Sequence, residues 1–147
     1  KCFRLSANTA RDAGERALVE ELMVRLNEVW PNDAEQRDYI YVQRTEAGCG
    51  MTEVHKDVQE TDFQRLATAT VVFYLTDGGA GVFFPFPDIT IAPERGMAIT
   101  WLNVHPDGSF NNWAAHGVQA TPEGIPDRIS LSFRITLPQH AAPLLEE

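Results

Sequence analysis

The sequence predicts a mainly β protein, a double-sheet jelly roll with one flanking N-terminal α-helix. Three observations lead there. An amphipathic N-terminal stretch has helical periodicity, whereas the chain beyond it alternates with the two-residue period of strands. Clusters of Gly, Pro, Asn and Asp break that region into short segments, as in a sandwich or barrel. Eight such segments can be counted, the number that a double-sheet jelly roll uses.

Lys1 to Leu5 reads as a short strand or extended lead-in. Asp12 followed by Glu15 has the form of a helix N-cap with its capping-box partner. Leu18, Leu22, Leu26 and Val29 or Trp30 then recur at helical spacing, with Glu20, Glu21, Arg25 and Glu28 between them. This predicts one helix over roughly residues 12–30, a packing element under a sheet, ended by Pro31-Asn32-Asp33. The expected strands are Tyr39–Arg44, Glu53–Val58, Thr68–Leu75, Val82–Phe84, Ile89–Ile91, Met97–Leu102, Ala114–Gln119 and Arg128–Thr136. Turn chemistry separates them, as in Ala47–Gly50, Asp77–Gly81, Pro85–Asp88, Pro93–Gly96 and Pro106–Ser109.

A chain of 147 residues is expected to form one domain, residues 1–147, with a substantial core. Its 12 Lys and Arg against 21 Asp and Glu give a net charge of -9, which argues against a nucleic-acid partner that needs phosphates neutralised. Cys2 and Cys49 form neither a disulfide framework nor a zinc signature and read as free thiols in a reducing compartment, so the expected location is cytoplasmic. No run of eighteen apolar residues is present, so no membrane span is expected.

The chemistry centres on Glu53-Val54-His55-Lys56-Asp57 and a later histidine, His116. In an extended strand, side chains two apart share a side, so His55 and Asp57 would project together with Lys56 facing away. H-x-D alone is three common residues, and surface decoration of a strand is its commoner origin. With His116 from a distant strand, however, the set becomes a 2-His-1-carboxylate triad, the ligand set of non-haem Fe(II) oxygenases.

The last strand alternates without error. Ile129, Leu131, Phe133 and Ile135 take one face; Arg128, Ser130, Ser132 and Arg134 take the other. This describes an antiparallel strand with one wet face, or a polar inner face that holds an anion through an arginine fork. If Thr121–Asp127 is a hairpin loop, Ala120 lies opposite Arg128, and His116 is four residues further along, roughly 13 Å at about 3.3 Å per residue. An arginine side chain and a five-carbon dicarboxylate would together span that gap.

From Tyr41 to Arg134 the chain resembles the Fe(II)/2-oxoglutarate-dependent dioxygenases, and within them the prolyl 4-hydroxylase catalytic domain. The matching pieces come in order: Arg44 with Gly48, His55-x-Asp57, Arg65, Phe73–Asp77, Gly78-Gly79, Phe84-Pro85, Ile91-x-Pro93-x-x-Gly96-x-Ala98, Leu102–Ser109 and His116-Gly117-Val118. The resemblance implies a double-stranded β-helix (jelly roll) and an enzyme that decarboxylates 2-oxoglutarate with O2 to succinate while hydroxylating an unactivated C–H bond. His55, Asp57 and His116 would bind Fe(II). Arg128, helped by Ser130, would anchor the distal carboxylate of 2-oxoglutarate. Ascorbate is a candidate accessory cofactor.

The departures are specific. The position ten residues after His116, where prolyl hydroxylases place a cation, is Pro126; Arg128 follows two later, which implies a longer loop. Arg128-x-Ser130 is similar to the R-x-S of small-molecule 2-oxoglutarate oxygenases. Arg134 is similar to the second arginine of the alkylation-repair dioxygenases, so it is an alternative contact to the co-substrate. Thr45 replaces an aromatic that often follows the Arg44 equivalent. Because Asp57 is present, the halogenase variant is disfavoured.

Tyr41 is a candidate hydroxyl donor to the co-substrate. Tyr74 and Trp101 read as core, Trp113 as pocket wall or core, His105 as a loop histidine and His140 as a solvated tail residue. Arg65 reads as structural or substrate-facing, and Gln59–Gln64 has the position and polarity of a lid. The expected substrate is a small molecule or peptide, with peptidyl or free proline or another amino acid first. Oxidative demethylation of alkylated nucleic acid and a non-catalytic jelly-roll ligand-binding module are the alternatives.

Overall fold

A computed structural model describes residues 2–5 (backbone), 10–29, 40–46, 52–58 and 68–135. One helix, α1 (Ala13–Val29), and nine strands follow one another among them. The strands are β1 (Cys2–Leu5), β2 (Ile40–Thr45), β3 (Thr52–His55), β4 (Ala69–Tyr74), β5 (Val82–Phe84), β6 (Ile89–Ile91), β7 (Ala98–Leu102), β8 (His116–Val118) and β9 (Arg128–Ile135). They form a five-stranded sheet in the order β1-β2-β9-β4-β7 and a four-stranded sheet in the order β3-β8-β5-β6. Every described pairing is antiparallel. Two stacked antiparallel sheets and one N-terminal helix are the jelly-roll architecture expected from the strand pattern.

The α1 N-terminus is capped as its residues predict. Asp12 Oδ1 accepts from the Glu15 backbone N–H at 2.9 Å, while the Glu15 carboxylate accepts from the Arg11 backbone N–H at 2.6 Å. The buried face is rotated from the expected one. Val19 and Leu26 are buried, Leu22 and Met23 pack beside them, and Leu18 and Val29 are exposed. The sequence-leading Leu18-Leu22-Leu26 series is one i+4 row, and an i+4 row drifts around a helix of 3.6 residues per turn. The i, i+3, i+4, i+7 set of Val19, Leu22, Met23 and Leu26 keeps to one side.

That side covers the outer face of the five-stranded sheet, where Ile40, Ala69, Val71, Phe133 and Ile135 complete a core. Burying each large side chain there contributes about 1.5–3 kcal/mol. Because strand side chains alternate, the intervening residues point inward to the second sheet. There Tyr74, Val82 and Phe84 form a second cluster with Val72, Ile99, Trp101 and Val118. The alternation in β9 thus separates two environments, with Phe133 and Ile135 under the helix and Arg128 and Ser130 buried between the sheets.

Two expectations are corrected. Thr121–Asp127 is not a hairpin loop: β8 pairs with β3 and β5, while β9 pairs with β2 and β4, so the loop crosses from one sheet to the other. Ala120 therefore does not lie opposite Arg128 in a ladder. The strand expected over Glu53–Val58 ends at His55, because β8 offers partners only to Thr52 and His55, with a register shift between them.

The residues Pro31–Asp33, Ala47–Gly50, Gln59–Gln64, Arg65 and His140 lie outside the described residues, as does Cys49, so the readings made on them stay as expectations. No described helix is long and apolar enough to cross a membrane.

Candidate active site

His55 closes β3, Asp57 stands on the bend just after it, and His116 opens β8. One ligand atom from each lies within 4.8 Å of the others. His55 Nε2 is 3.8 Å from Asp57 Oδ1, and His116 Nε2 is 3.9 Å from Asp57 Oδ2. Both separations are shorter than two metal–ligand bonds end to end, roughly 4.0–4.4 Å for bonds of about 2.0–2.2 Å. The three residues could therefore hold one metal ion, although the bend rather than strand alternation brings Asp57 beside His55. Lys56 turns the other way, as expected, and its ammonium reaches Asn112 Oδ1 at 2.5 Å.

Backbone carbonyls orient both imidazoles. His55 Nδ1 lies 2.9 Å from the Glu53 carbonyl, and His116 Nδ1 lies 2.9 Å from the Ala114 carbonyl. A carbonyl can only accept, so each Nδ1 carries a proton, and Nε2, which faces the carboxylate, is the nitrogen left to ligate a metal. This is how a metal-binding histidine is held in one tautomer. His116 is buried, with its ring 4.6 Å from those of Trp101 and His55 and 5.7 Å from that of Phe84. Burial pushes its pKa below the ordinary value, against the opposing pull of the Ala114 carbonyl and Asp57. The neutral ring is the ligating form. His55 is the open side of the cluster, with its side chain 44% exposed.

A cavity of about 240 Å³ runs between the sheets from this cluster to Arg128. The Arg128 side chain is 2% exposed. It donates to the Ala80 carbonyl at 2.9 Å and to the Thr45 hydroxyl at 3.2 Å. Its Nε–H has no partner, and no carboxylate pairs with it among the described residues. Burial lowers its pKa, yet a guanidinium stays charged. A cation buried among neutral groups is costly, and this end of the cavity could accept an anion. Beside it the Tyr74 hydroxyl is buried and also lacks a hydrogen-bond partner among the described residues. Burial raises the Tyr74 pKa more than Arg128 lowers it, so the phenol keeps its proton and can donate.

The other predicted residues separate. Ser130 is buried and lines the cavity, as do Gln43 and Ser132. Tyr41 pairs with Ser132 across the sheet, on the same face, but does not line the cavity. Arg134 lies at the other end from Arg128: its Nη2 is 3.4 Å from Asp57 Oδ1 and its side chain is half exposed. Trp101, read as core, is half-buried, lines the cavity and packs on His116. Trp113 is neither pocket wall nor core; it is exposed on the short 3-10 turn Asn112–Ala114.

Sequence reasoning passed over Thr45 and Thr70; its reading of Tyr74 as core holds, but the place of the Tyr74 hydroxyl beside Arg128 was not foreseen. Tyr74 lies opposite Ser130, and Thr45 lies opposite Arg128. Once β2, β9 and β4 are known to be neighbours, parity along each strand points these side chains into the same space.

No protein-family model matches the chain. In sequence it is similar to prolyl 4-hydroxylase subunit alpha-1 of Gallus gallus, 28% identical over 124 residues, which are 78% of this chain and 24% of the relative. The Homo sapiens subunit is 27% identical over 78% of this chain and 23% of its own length. The chain thus spans about a quarter of the length of these relatives. Among solved structures it is similar to the viral collagen prolyl hydroxylase vCPH of Paramecium Bursaria Chlorella virus-1 in its 2OG complex, with a TM-score of 0.65, 16% identity, and coverage of 92% of this chain and 80% of that one. A Pseudomonas putida prolyl-4-hydroxylase gives a TM-score of 0.55 at 16% identity, covering 93% of this chain and 72% of that one. Similar to the alpha-1 subunits in sequence and folded like the viral and bacterial hydroxylases, the chain is prolyl 4-hydroxylase-like.

Proposed function

We propose that this chain is an Fe(II)- and 2-oxoglutarate-dependent dioxygenase that hydroxylates an unactivated C–H bond of peptidyl or free proline or another amino-acid-like substrate. One observation carries the reading: a single cavity has a His-Asp-His cluster at one end and, at the other, a buried arginine that has no acidic partner among the described residues. The donor set fits iron, since two neutral imidazoles and one carboxylate on one side of an ion leave positions open. The orphaned Tyr74 hydroxyl and Arg128 Nε–H fit a carboxylate.

In this reading His55, Asp57 and His116 hold iron. Bound Fe(II) supplies the activation of O2 that couples oxidative decarboxylation to hydroxylation, so that 2-oxoglutarate, O2 and R–H become succinate, CO2 and R–OH. The protein's own contribution is positional. Arg128 and Tyr74 donate to the distal carboxylate and fix the length of the co-substrate against the metal end. Trp101, Val72 and Val118 line the space between and exclude water from it. The substrate enters from the exposed His55 side. The similarity to prolyl hydroxylases in sequence and fold supports proline as the first substrate to try.

The test is succinate release with Fe(II), O2, ascorbate and 2-oxoglutarate, with and without free proline, proline-containing peptides and alkylated oligonucleotides. Products are screened by mass for the gain of one oxygen. Release that needs iron and is stimulated by proline compounds is expected, and Asp57→Ala should abolish it. Binding of 2-oxoglutarate without turnover on any amino-acid or peptide substrate would instead mark a ligand-binding module, and stimulation by alkylated oligonucleotides alone a demethylase.

A further inference from the structure

A continuous hydrogen-bonded path joins Asp57 to His116 around the metal-ligand cluster. Thr70 Oγ1 donates to Asp57 Oδ2 at 2.7 Å. Asn103 Nδ2 donates to Thr70 Oγ1 at 2.9 Å. The Asn103 carbonyl accepts from the Asn111 N–H at 2.9 Å, and the Asn111 carbonyl accepts from the Ala114 N–H at 3.1 Å. The Ala114 carbonyl then accepts from His116 Nδ1 at 2.9 Å.

The chemistry gives this path a direction. An amide nitrogen only donates, so Asn103 occupies the Thr70 oxygen as acceptor, and the single Thr70 proton is committed to Asp57. Thr70 is 5% exposed and Asn103 is 4% exposed, so water does not compete for these bonds. Threonine is stiff about χ1, which fixes where its hydroxyl points. The far half of the path is equally constrained. Asn111 Nδ2 donates to the Leu102 carbonyl at 2.8 Å, and Asn111 Oδ1 caps the 3-10 turn by accepting from the Trp113 N–H at 3.0 Å.

We propose that Thr70 and Asn103 are positioning residues of the metal centre. With Arg134 Nη2 3.4 Å from Asp57 Oδ1 on the other side, they set the plane of the Asp57 carboxylate relative to the two imidazoles before any ion is bound. Neither is one of the three ligating residues; Thr70 lines the cavity, and Asn103 lies behind it. The inference rests on reading His55, Asp57 and His116 as a metal site. It assigns work to two side chains that the ligand pattern does not include.

The probe is Co(II), whose visible absorption reports its ligand field. Its dissociation constant and spectrum are measured for the wild type, Thr70→Ser, Thr70→Val, Asn103→Ala and Asp57→Ala, with a thermal melt of each metal-free protein. Losing a group that orients a metal ligand costs about 10–100-fold in metal affinity. Thr70→Val and Asn103→Ala should weaken Co(II) by that factor and change its absorption, while Thr70→Ser keeps wild-type values. If Thr70→Val does not fold, Asn103→Ala carries the same comparison with the Thr70 hydroxyl in place. A wild type that binds Co(II) and loses it on Asp57→Ala, beside folded Thr70→Val or Asn103→Ala with unaltered affinity and spectrum, would overturn the positioning role and leave the metal site standing. A wild type that binds no Co(II) would overturn both.

Discussion

Gly79 lies directly on Arg128. Its φ is +90°, and a Cβ placed there would overlap the Cβ of Arg128. Gly78 is as close to the Pro126 carbonyl, and Ala80 supplies the carbonyl that receives Arg128. The loop between β4 and β5 therefore closes over the buried guanidinium, and side chains there would lift it. Gly79→Ala combines a left-handed backbone with that overlap, and a strain of about 1–3 kcal/mol is expected. Thermal unfolding should shift down accordingly, and the 2-oxoglutarate requirement should rise. A variant matching wild type in both measurements would show that the loop does not constrain Arg128.

Arg128 and Arg134 occupy opposite ends of the cavity region and should respond differently. Arg128→Met removes two charge-assisted donors from the anion end, each worth about 1.5–3 kcal/mol. The KM for 2-oxoglutarate should rise roughly 100-fold or more. The ligand-free variant should change little in stability, since removing a buried charge offsets the lost bonds to the Ala80 carbonyl and the Thr45 hydroxyl. Arg134→Ala, beside Asp57, should change the 2-oxoglutarate requirement far less. Titrations and melts of the two variants decide, and the reverse order would move the anchor to Arg134.

Tyr74→Phe removes a buried hydroxyl that no described group satisfies. The ligand-free protein should lose no stability, because the deleted group makes no bond there. Affinity for 2-oxoglutarate should fall about 10–100-fold, the loss expected for one hydrogen bond to a charged partner. Calorimetric titration of 2-oxoglutarate checks this, and unaltered affinity would remove Tyr74 from the anion pocket.

Metal-free stability should depend on pH through His116. Burial, the largest influence, holds its folded pKa below the ordinary value, about 6.5 when unfolded. Between those two values the unfolded chain binds a proton that the folded chain refuses, so stability falls as pH drops below about 6.5 and is flat above it. Urea denaturation in the presence of a chelator, from pH 7.5 down to about 5.5, should show the loss. His116→Gln should flatten that slope.

That His55 and Asp57 share one cluster, and that Arg128 turns inward, could be read from local patterns: H-x-D within three residues, and an unbroken alternation from Arg128 to Ile135. Strand positions were legible for the same reason, since turn residues bracket each one. Long-range pairing was not. Nothing between Thr121 and Asp127 distinguishes a hairpin from a crossing between sheets, because sheet membership is set by which distant strands β8 and β9 find. Tyr74 and Thr70 escaped for a related reason. Their hydroxyls gain meaning only beside Arg128 and Asp57, and those neighbours are 54 and 13 positions away. The face of α1 was misjudged by following a row of leucines rather than the side the sheet covers.

The crossing at Thr121–Asp127 has a consequence for how the molecule moves. The imidazoles belong to one sheet and the guanidinium to the other, so a small dicarboxylate lying between them would act as a rivet through both layers. A chain holding metal and keto acid should open as a single unit, whereas the empty chain is free to breathe between its layers. Amide protons of β8 and β9 are the place to see that difference.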